Sequence, residues 1–553
     1  MDIKMGPVMG KAPAVVGTIE IQPGQRVAAG QLLAQVETGK GNRPIKAPAD
    51  GIIDTILCAE GEQVISGQTL FILTESSGSQ ENDENTVLKT DLFIIGGGPG
   101  GYVAALYASK SGMSVVLAEK ELLGGTCLNC GCIPTKALIQ SAQLFRQIRL
   151  AGAFGISVTD ASLIPEQVFR RKEDICSDLR DGVASLLESA NVTVLNGTAS
   201  FTGKTHCLVR MGEKTRTVEF KNAIIASGSQ PSLPPFARAL HNSSLVMDSR
   251  QALDAGTFPG SVTIIGAGVI GMEFAFLYRS AGAAVYVIEF QPRILGNTDD
   301  DIASVILDEA RKQSISVYTG AKVTDIRRTV SGQAVVTFEQ NGASYTAVTD
   351  VVLTATGRRP YTEGLNLEAA GISVTEQGAV WTSDFMETSV PGIYAIGDVT
   401  GKSALAHAAS HQGIAVVDTV IGRGHAVDHA SVPSVIFTSP EAACAGLTEH
   451  DCRNRGIPYI ASRFAFAASG KAKIMGETVG FVKLLCHKET RQILGGTVVG
   501  PDASALIGTI TLAVKNKLTD VQLTQTVFAH PTTSEAVFEA AMGLSCGALH
   551  QST

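Results

Sequence analysis

The stretch LFIIGGGPGGYVAALYASKSGMSVVLAEK, residues 92–120, runs from an apolar strand pattern into a glycine-rich turn, then a helical pattern, then a second apolar strand ending in an acid. Its glycines Gly96, Gly98 and Gly101 stand at G-x-G-x-x-G spacing, and Glu119 follows the third by 18 residues. The plan recurs in SVTIIGAGVIGMEFAFLYRSAGAAVYVIEF, residues 261–290, with Gly266, Gly268, Gly271 and, again 18 residues on, Glu289. In such a unit the first glycine turns the chain, the second lets backbone approach a pyrophosphate, and the third packs helix on strand. The helix N-terminus stabilises the anion, and the acid accepts from a ribose hydroxyl. A single glycine turn is weak evidence. Two, each between strand and helix and each with its acid, predict two Rossmann-like nucleotide-binding domains of the α/β class. Glu289 disfavours a 2'-phosphate, so the second domain is expected to prefer NAD over NADP.

The rest of the chain fits around these units. At 553 residues with 44% hydrophobic content and 58 glycines, several compact domains are expected. The net charge of -8 gives no basic footprint for nucleic acid or anionic lipid. No uncharged apolar run reaches the roughly 18 residues of a membrane span, and the opening MDIKMGPVMGK has no apolar targeting core. A cytoplasmic protein is expected. Two similar strand ends, IIASGSQP at 224–231 and VLTATGRRP at 352–360, read as closures of nucleotide-binding units, and GIYAIGDV at 392–399 is a further apolar strand end. The last places Asp398 where a carboxylate accepts from a polyol hydroxyl or simply forms a turn.

The front of the chain has another character. GQRVAAGQLL at 24–33 recurs as GEQVISGQTL at 61–70, so two similar strand-turn-strand halves are expected to close on one core. Between them VETGKGNRPIKAP places Lys40 between Gly39 and Gly41, a tight-turn context. Residues 1–75 resemble the lipoyl and biotinyl carrier domains, with Lys40 at the acylated position; the resemblance implies a lipoyl group there. That family usually has Asp-Lys-Ala where this chain has Gly-Lys-Gly, and a plain exposed turn lysine is the competing reading. Residues 76–90, largely polar, read as a flexible linker.

Ten cysteines are scattered except in GGTCLNCGCIPTK, 124–136, where Cys127, Cys130 and Cys132 cluster. The others read as buried thiols, and no metal site is expected. From the residues alone the working pair of the trio is open.

Together GGGPGG, GGTCLNCGCIPTK, GAGVIGMEFA, GRRP, AIGDV, LAHAAS, PSVIFTSPE and HPTTSEA resemble, in order, the flavin-dependent pyridine nucleotide disulfide oxidoreductases, in particular their dihydrolipoamide dehydrogenase branch. The resemblance implies an FAD-binding domain (91–236), an NAD-binding domain (237–358), a central domain completing the FAD site (359–430) and an α+β dimerisation domain (431–553), preceded by the small all-β lipoyl- or biotinyl-like sandwich. It implies that Cys127 exchanges with substrate and Cys132 faces the flavin. Lys136 stands beside the flavin ring with Glu273 as its ion-pair partner, and Gly357, Asp398 and Ala406 fall in cofactor-binding motifs. His530 and Glu535 match the base and its orienting carboxylate, supplied from the opposite subunit of a homodimer. Phe528 stands where the family often has a further histidine. The implied reaction oxidises dihydrolipoyl groups, with a lipoyl-bearing acyltransferase or glycine cleavage carrier protein as partner. Rival readings are a reductase of another disulfide or of a metal ion, and an inactive flavoprotein whose work is done by Lys40.

Given that pair, five residues of helix separate Cys127 from Cys132 by about 7.5 Å of rise. Disulfides rarely tolerate alpha-carbon separations above roughly 7 Å. The segment is therefore expected to leave regular helix, with Gly124, Gly125, Gly131 and Pro134 as the means. Cys130 reads as a small buried hydrophobe, the alternative being a second bridge to Cys127.

Overall fold

The computed structural model describes residues 2–5, 14–28, 30–38, 41–49, 51–75, 87–238, 240–241, 243, 245–296 and 298–551. The chain divides into two compact units, Met1–Thr86 and Val87–Thr553.

In the first unit, short strands alternate buried and exposed residues, as in the pattern of Gly51–Ile56, and so present one apolar face. They form two four-stranded sheets closing on a core that includes Met5, Val16, Leu33, Ile53, Leu70 and Phe71. The sequence repeat is a structural one. Gly24 and Gly61 both take positive φ (81° and 84°) and donate to Ile53 O and Val16 O, each at 2.7 Å. The second glycines do the same: Gly30 bonds Ala47 O and Gly67 bonds Met5 O, each at 2.7 Å. Gln31 and Gln68 in turn cap their own turns by accepting from Ala28 N and Ile65 N, each at 3.1 Å. Strands Leu32–Thr38 and Gly41–Lys46 pair antiparallel with Thr38 opposite Gly41. Gly39 and Lys40 lie outside the described residues, as does most of the expected linker.

The second unit opens with strand Leu88–Ile95, so the final residues of the expected linker are strand. Thr90 explains the early start: its hydroxyl is buried and donates to Ser114 O at 2.8 Å, pairing a polar group that would otherwise need water. Leu88–Ile95 lies between the parallel strands Val115–Glu119 and Lys214–Ile225, and Ile393–Ala395 adds to the far side of the latter. The central region thus completes the first nucleotide-binding sheet. A second sheet, all parallel, orders Val246–Asp248, Val351–Thr354, Ser261–Ile265, Ala284–Ile288 and Ile315–Tyr318. The C-terminal region is a five-stranded antiparallel sheet covered by helices Ala503–Lys515 and Glu535–Gly543.

A buried cation joins the C-terminal sheet to the second nucleotide fold. Lys483 Nζ lies 2.9 Å from Asp299, 2.8 Å from Asp301 and 3.0 Å from Glu449. Burial disfavours its charge, but the three carboxylates outweigh burial and push its pKa up. Among the thiols expected to be buried, Cys58, Cys176, Cys207, Cys452 and Cys486 are; Cys444 is half-buried and Cys546 exposed.

Candidate active site

Both glycine turns have the shape a dinucleotide needs. A Cβ on Gly101 would lie 1.8 Å from Gly96 O, and one on Gly271 1.9 Å from Gly266 O, so only glycine lets each helix pack on its strand. A Cβ on Gly268 meets nothing within 4 Å: the second glycine faces open space in front of helix Val269–Ala281. Gly98 likewise precedes helix Pro99–Lys110. These cradles fit a pyrophosphate placed against two helix N-termini. The acids complete them. Glu119 accepts from Gly97 N at 2.7 Å and from Glu121 N at 2.8 Å, and Glu289 accepts from Ala267 N at 2.5 Å and from Gln291 N at 2.7 Å. Each carboxylate is pinned beside its glycine turn with lone pairs left for ribose hydroxyls.

Asp398 sits on the turn Gly397–Thr400 and accepts from Ser229 Oγ, which itself accepts from Arg358 Nε at 2.7 Å. Strands Ser229–Pro231 and Arg358–Pro360 pair, so this network ties both chain crossovers to Asp398. Gly357, just before Arg358, takes φ 105°. Ala406 begins helix Ala406–Val420, which packs closely on Pro99–Lys110: a Cβ on Gly413 would lie 2.8 Å from Gly100 O.

The cysteine segment does leave regular helix. A short helix, Gly125–Cys130, ends at Gly131 (φ -146°, ψ -112°), and a second, Cys132–Arg149, starts at once. The break brings the Cys127 and Cys132 thiols into hydrogen-bond contact. That bond, with the Lys136 ammonium behind it, holds the Cys132 thiol down at about 7 against the cost of burial. The same bond, then burial, pushes Cys127 up. When the pair loses one proton, the thiolate rests on Cys132. Cys130 stands outside this coupling: burial raises its thiol, and the charges it feels are those of Arg250, Arg358, Glu121 and Asp254.

Lys136, on the second of these helices, donates to Glu273 Oε2 at 2.8 Å and Oε1 at 3.0 Å. Glu273 is buried and also accepts from Phe437 N at 3.0 Å, while the ammonium stands 4.6 Å over the Phe437 ring. The expected ion pair is formed, and the C-terminal region takes part in it. Asn129 was missed as a positioning group. Its amide donates to Gly125 O at 2.9 Å and Leu123 O at 3.0 Å and its carbonyl accepts from Arg180 at 3.0 Å, clamping the short helix from a helix far along the chain.

His530 and Glu535 meet: Nδ1 lies 2.8 Å from Oε1, and Oε2 accepts from Thr532 N at 2.9 Å. Burial would raise the Glu535 carboxyl, but the Thr532 amide and His530 outweigh it and hold it down. The His530 side chain is 79% exposed, and among the described residues this pair makes no hydrogen bond to Cys127 or Cys132 of its own chain.

Two nucleotide folds, with a thiol pair across the break between two successive helices, Gly125–Cys130 and Cys132–Arg149, define a two-nucleotide thiol oxidoreductase. The chain matches the family described as pyridine nucleotide-disulphide oxidoreductase over residues 90–413, its dimerisation domain over 432–541, and a biotin-requiring enzyme domain over 4–73. It belongs to the pyridine nucleotide-disulphide oxidoreductase family. Among curated relatives, it is 40% identical over 452 residues to the dihydrolipoyl dehydrogenase of Chlamydia muridarum, covering 82% of this chain and 96% of the relative. The dihydrolipoyl dehydrogenase of Geobacillus stearothermophilus is 38% identical over 455 residues, with 82% and 96% covered. Among solved structures, LpdA from Mycobacterium tuberculosis superposes with TM-score 0.77 at 28% identity, covering 83% of this chain and all of that one (100%). The HOCl-induced flavoprotein disulfide reductase RclA from Escherichia coli gives TM-score 0.72 at 28% identity, with 82% and 99% covered. Among the described residues no helix is long and apolar enough to cross a membrane.

Proposed function

We propose that the chain is a dihydrolipoyl dehydrogenase that oxidises dihydrolipoyl groups with NAD as final acceptor. The observation that carries this reading is the Cys127–Cys132 pair, broken out of helix at Gly131 and biased toward a thiolate on Cys132. The identity to curated dihydrolipoyl dehydrogenases over 82% of the chain supports the choice of substrate.

His530 is the base. Its Nδ1 is held by Glu535, which fixes the tautomer and leaves Nε2 to take a proton from a substrate thiol. The resulting thiolate attacks Cys127, the Cys127–Cys132 bond breaks, and Cys132 leaves as a thiolate beside the Lys136 ammonium. The second substrate sulfur then displaces Cys127 and the lipoyl ring closes. Bound FAD supplies the two-electron acceptor next to Cys132, and NAD the hydride acceptor at the second glycine turn. Gly96, Gly98, Gly101, Glu119, Asp398 and Ala406 hold the first nucleotide; Gly266, Gly268, Gly271, Glu289 and Gly357 hold the second. Lys136, anchored by Glu273, places positive charge where the reduced ring becomes negative.

The exposed His530 of one chain serves the cysteine pair of another in a homodimer, a reading the dimerisation-domain match supports. Lys40 carries a lipoyl group, and the enzyme works in the cytoplasm within a 2-oxo acid dehydrogenase or glycine cleavage assembly. The test is dihydrolipoamide-dependent NADH formation by the purified flavoprotein dimer. Turnover is expected, and H530Q is expected to lower it by roughly 10²–10⁴-fold. A flavin-loaded parent that does not turn over dihydrolipoamide would falsify the reading. Intact mass after expression with lipoate checks Lys40.

A further inference from the structure

Helix Glu535–Gly543 carries a second carboxylate, Glu539, one turn beyond the first, and it too holds a histidine. Glu539 is buried and accepts from Leu549 N at 2.7 Å and His550 N at 3.2 Å, while its Oε1 lies 2.7 Å from His550 Nδ1. The His550 side chain is 76% exposed, close to the 79% of His530. The C-terminal tail that bears it is tied down on its far side by Gln551, whose Oε1 accepts from Ala465 N at 2.7 Å.

Two imidazoles are thus presented in the same way, Nδ1 on a carboxylate and the rest of the ring open. Their carboxylates belong to residues i and i+4 of one helix, whose Cβ atoms share one face at roughly 6 Å. The pairs also feel each other: His550 helps lower the Glu535 carboxyl, and His550 is raised by its bond to Glu539, then by the charges of Glu539 and Glu535. The neighbouring Phe528 has no titrating group, and its ring packs on Phe538 at 6.2 Å between centroids.

The chemistry has room for a second base. Closing the lipoyl ring moves two electrons from the substrate dithiol into the Cys127–Cys132 bond and releases two thiol protons. The first goes to His530 as the substrate sulfur bonds to Cys127 and Cys132 takes the electron pair. In the second step the other substrate sulfur bonds to the first, and Cys127 leaves with its electron pair and needs a proton. His530, now protonated, supplies it. The attacking thiol must lose its own proton at that moment, when His530 is an acid.

We propose that His550, oriented by Glu539, is the second acid–base group of the thiol site and takes the proton of the ring-closing thiol while His530 protonates Cys127. The inference rests on the dihydrolipoyl reading above. The proton leaves from His550 to solvent, and Cys132 remains the thiolate.

The experiment uses the FAD-loaded dimer with dihydrolipoamide and NAD. H550Q and H550A are expected to lower kcat about tenfold and to reshape its pH profile, and free imidazole is expected to restore H550A. His550 is exposed, so either variant should fold. A kcat and pH profile within twofold of the parent overturns the proposal. So does a loss that imidazole does not restore, which marks a tail anchor rather than a base. A parent inactive toward dihydrolipoamide would instead refute the function on which the proposal rests.

Discussion

Lys136 and Glu273 join the helix that begins at Cys132 to the helix of the second glycine turn, with both carboxylate oxygens within 3.0 Å of the ammonium. The pair is unequal: the Glu273 side chain is 6% exposed and that of Lys136 31%. Removing the cation therefore strands a buried charge, which costs about 3–5 kcal/mol. K136M is expected to lower the thermal unfolding midpoint more than E273Q does, because the glutamine still accepts from Phe437 N and the freed lysine reaches solvent. Calorimetry on the two variants checks the order. Equal midpoints would mean that the carboxylate finds another partner.

Gly131 is needed for space rather than for a left-handed backbone. Its φ of -146° is open to any residue, but a Cβ there would stand 2.8 Å from Thr126 O, inside the short helix that carries Cys127. G131A must shift one helix against the other and so separate the two sulfurs. We expect at least tenfold slower dihydrolipoamide oxidation, by analogy with other misplacements of reacting groups of about 1 Å. Stopped-flow reduction by substrate measures it, and a rate equal to the parent's would show that the break tolerates a side chain.

Asn129 and the glycine turns differ in how far along the chain their partners lie. Glycine turns, their acids and the broken helix were legible because each is a local device whose parts lie close along the chain: the 18-residue interval from Gly101 to Glu119 holds one helix and the strand that follows it. His530 and Glu535, five positions apart, were legible through the resemblance of HPTTSEA to its family motif. Arg180 was not: it reaches Asn129 across 51 residues, and a helical arginine carries no mark of its distant acceptor. The Phe437 amide on Glu273 and the Glu539–His550 pair are equally matters of tertiary packing.

Cys130 tests how specific the trio is. Arg250 and Arg358 are the charges nearest its thiol in effect, whereas Cys127 is engaged with Cys132. C130V is expected to keep dihydrolipoamide turnover within about twofold of the parent, as volume-conserving apolar replacements usually do. Its loss of activity in peroxide should also match the parent's. Protection of the variant from peroxide would instead reveal a bridge between Cys130 and Cys127.

The reduced cysteine pair should leave its mark on stability against pH. The folded pair gives up its first proton at about 7, on Cys132, against an ordinary thiol value of 9.0, while Cys127 is pushed above that value. Below about 7 neither state ionises and the pair contributes nothing. Between about 7 and 9 the unfolded chain binds more protons than the folded pair, so stability rises with pH. Above 9 the unfolded chain loses both protons while the folded pair keeps one, and stability falls again. The thermal midpoint of the dithiothreitol-reduced protein, relative to a C127S/C132S variant, should therefore pass through a maximum near pH 9. A difference that stays flat across the range would show that the Cys127–Cys132 hydrogen bond does not bias the thiolate.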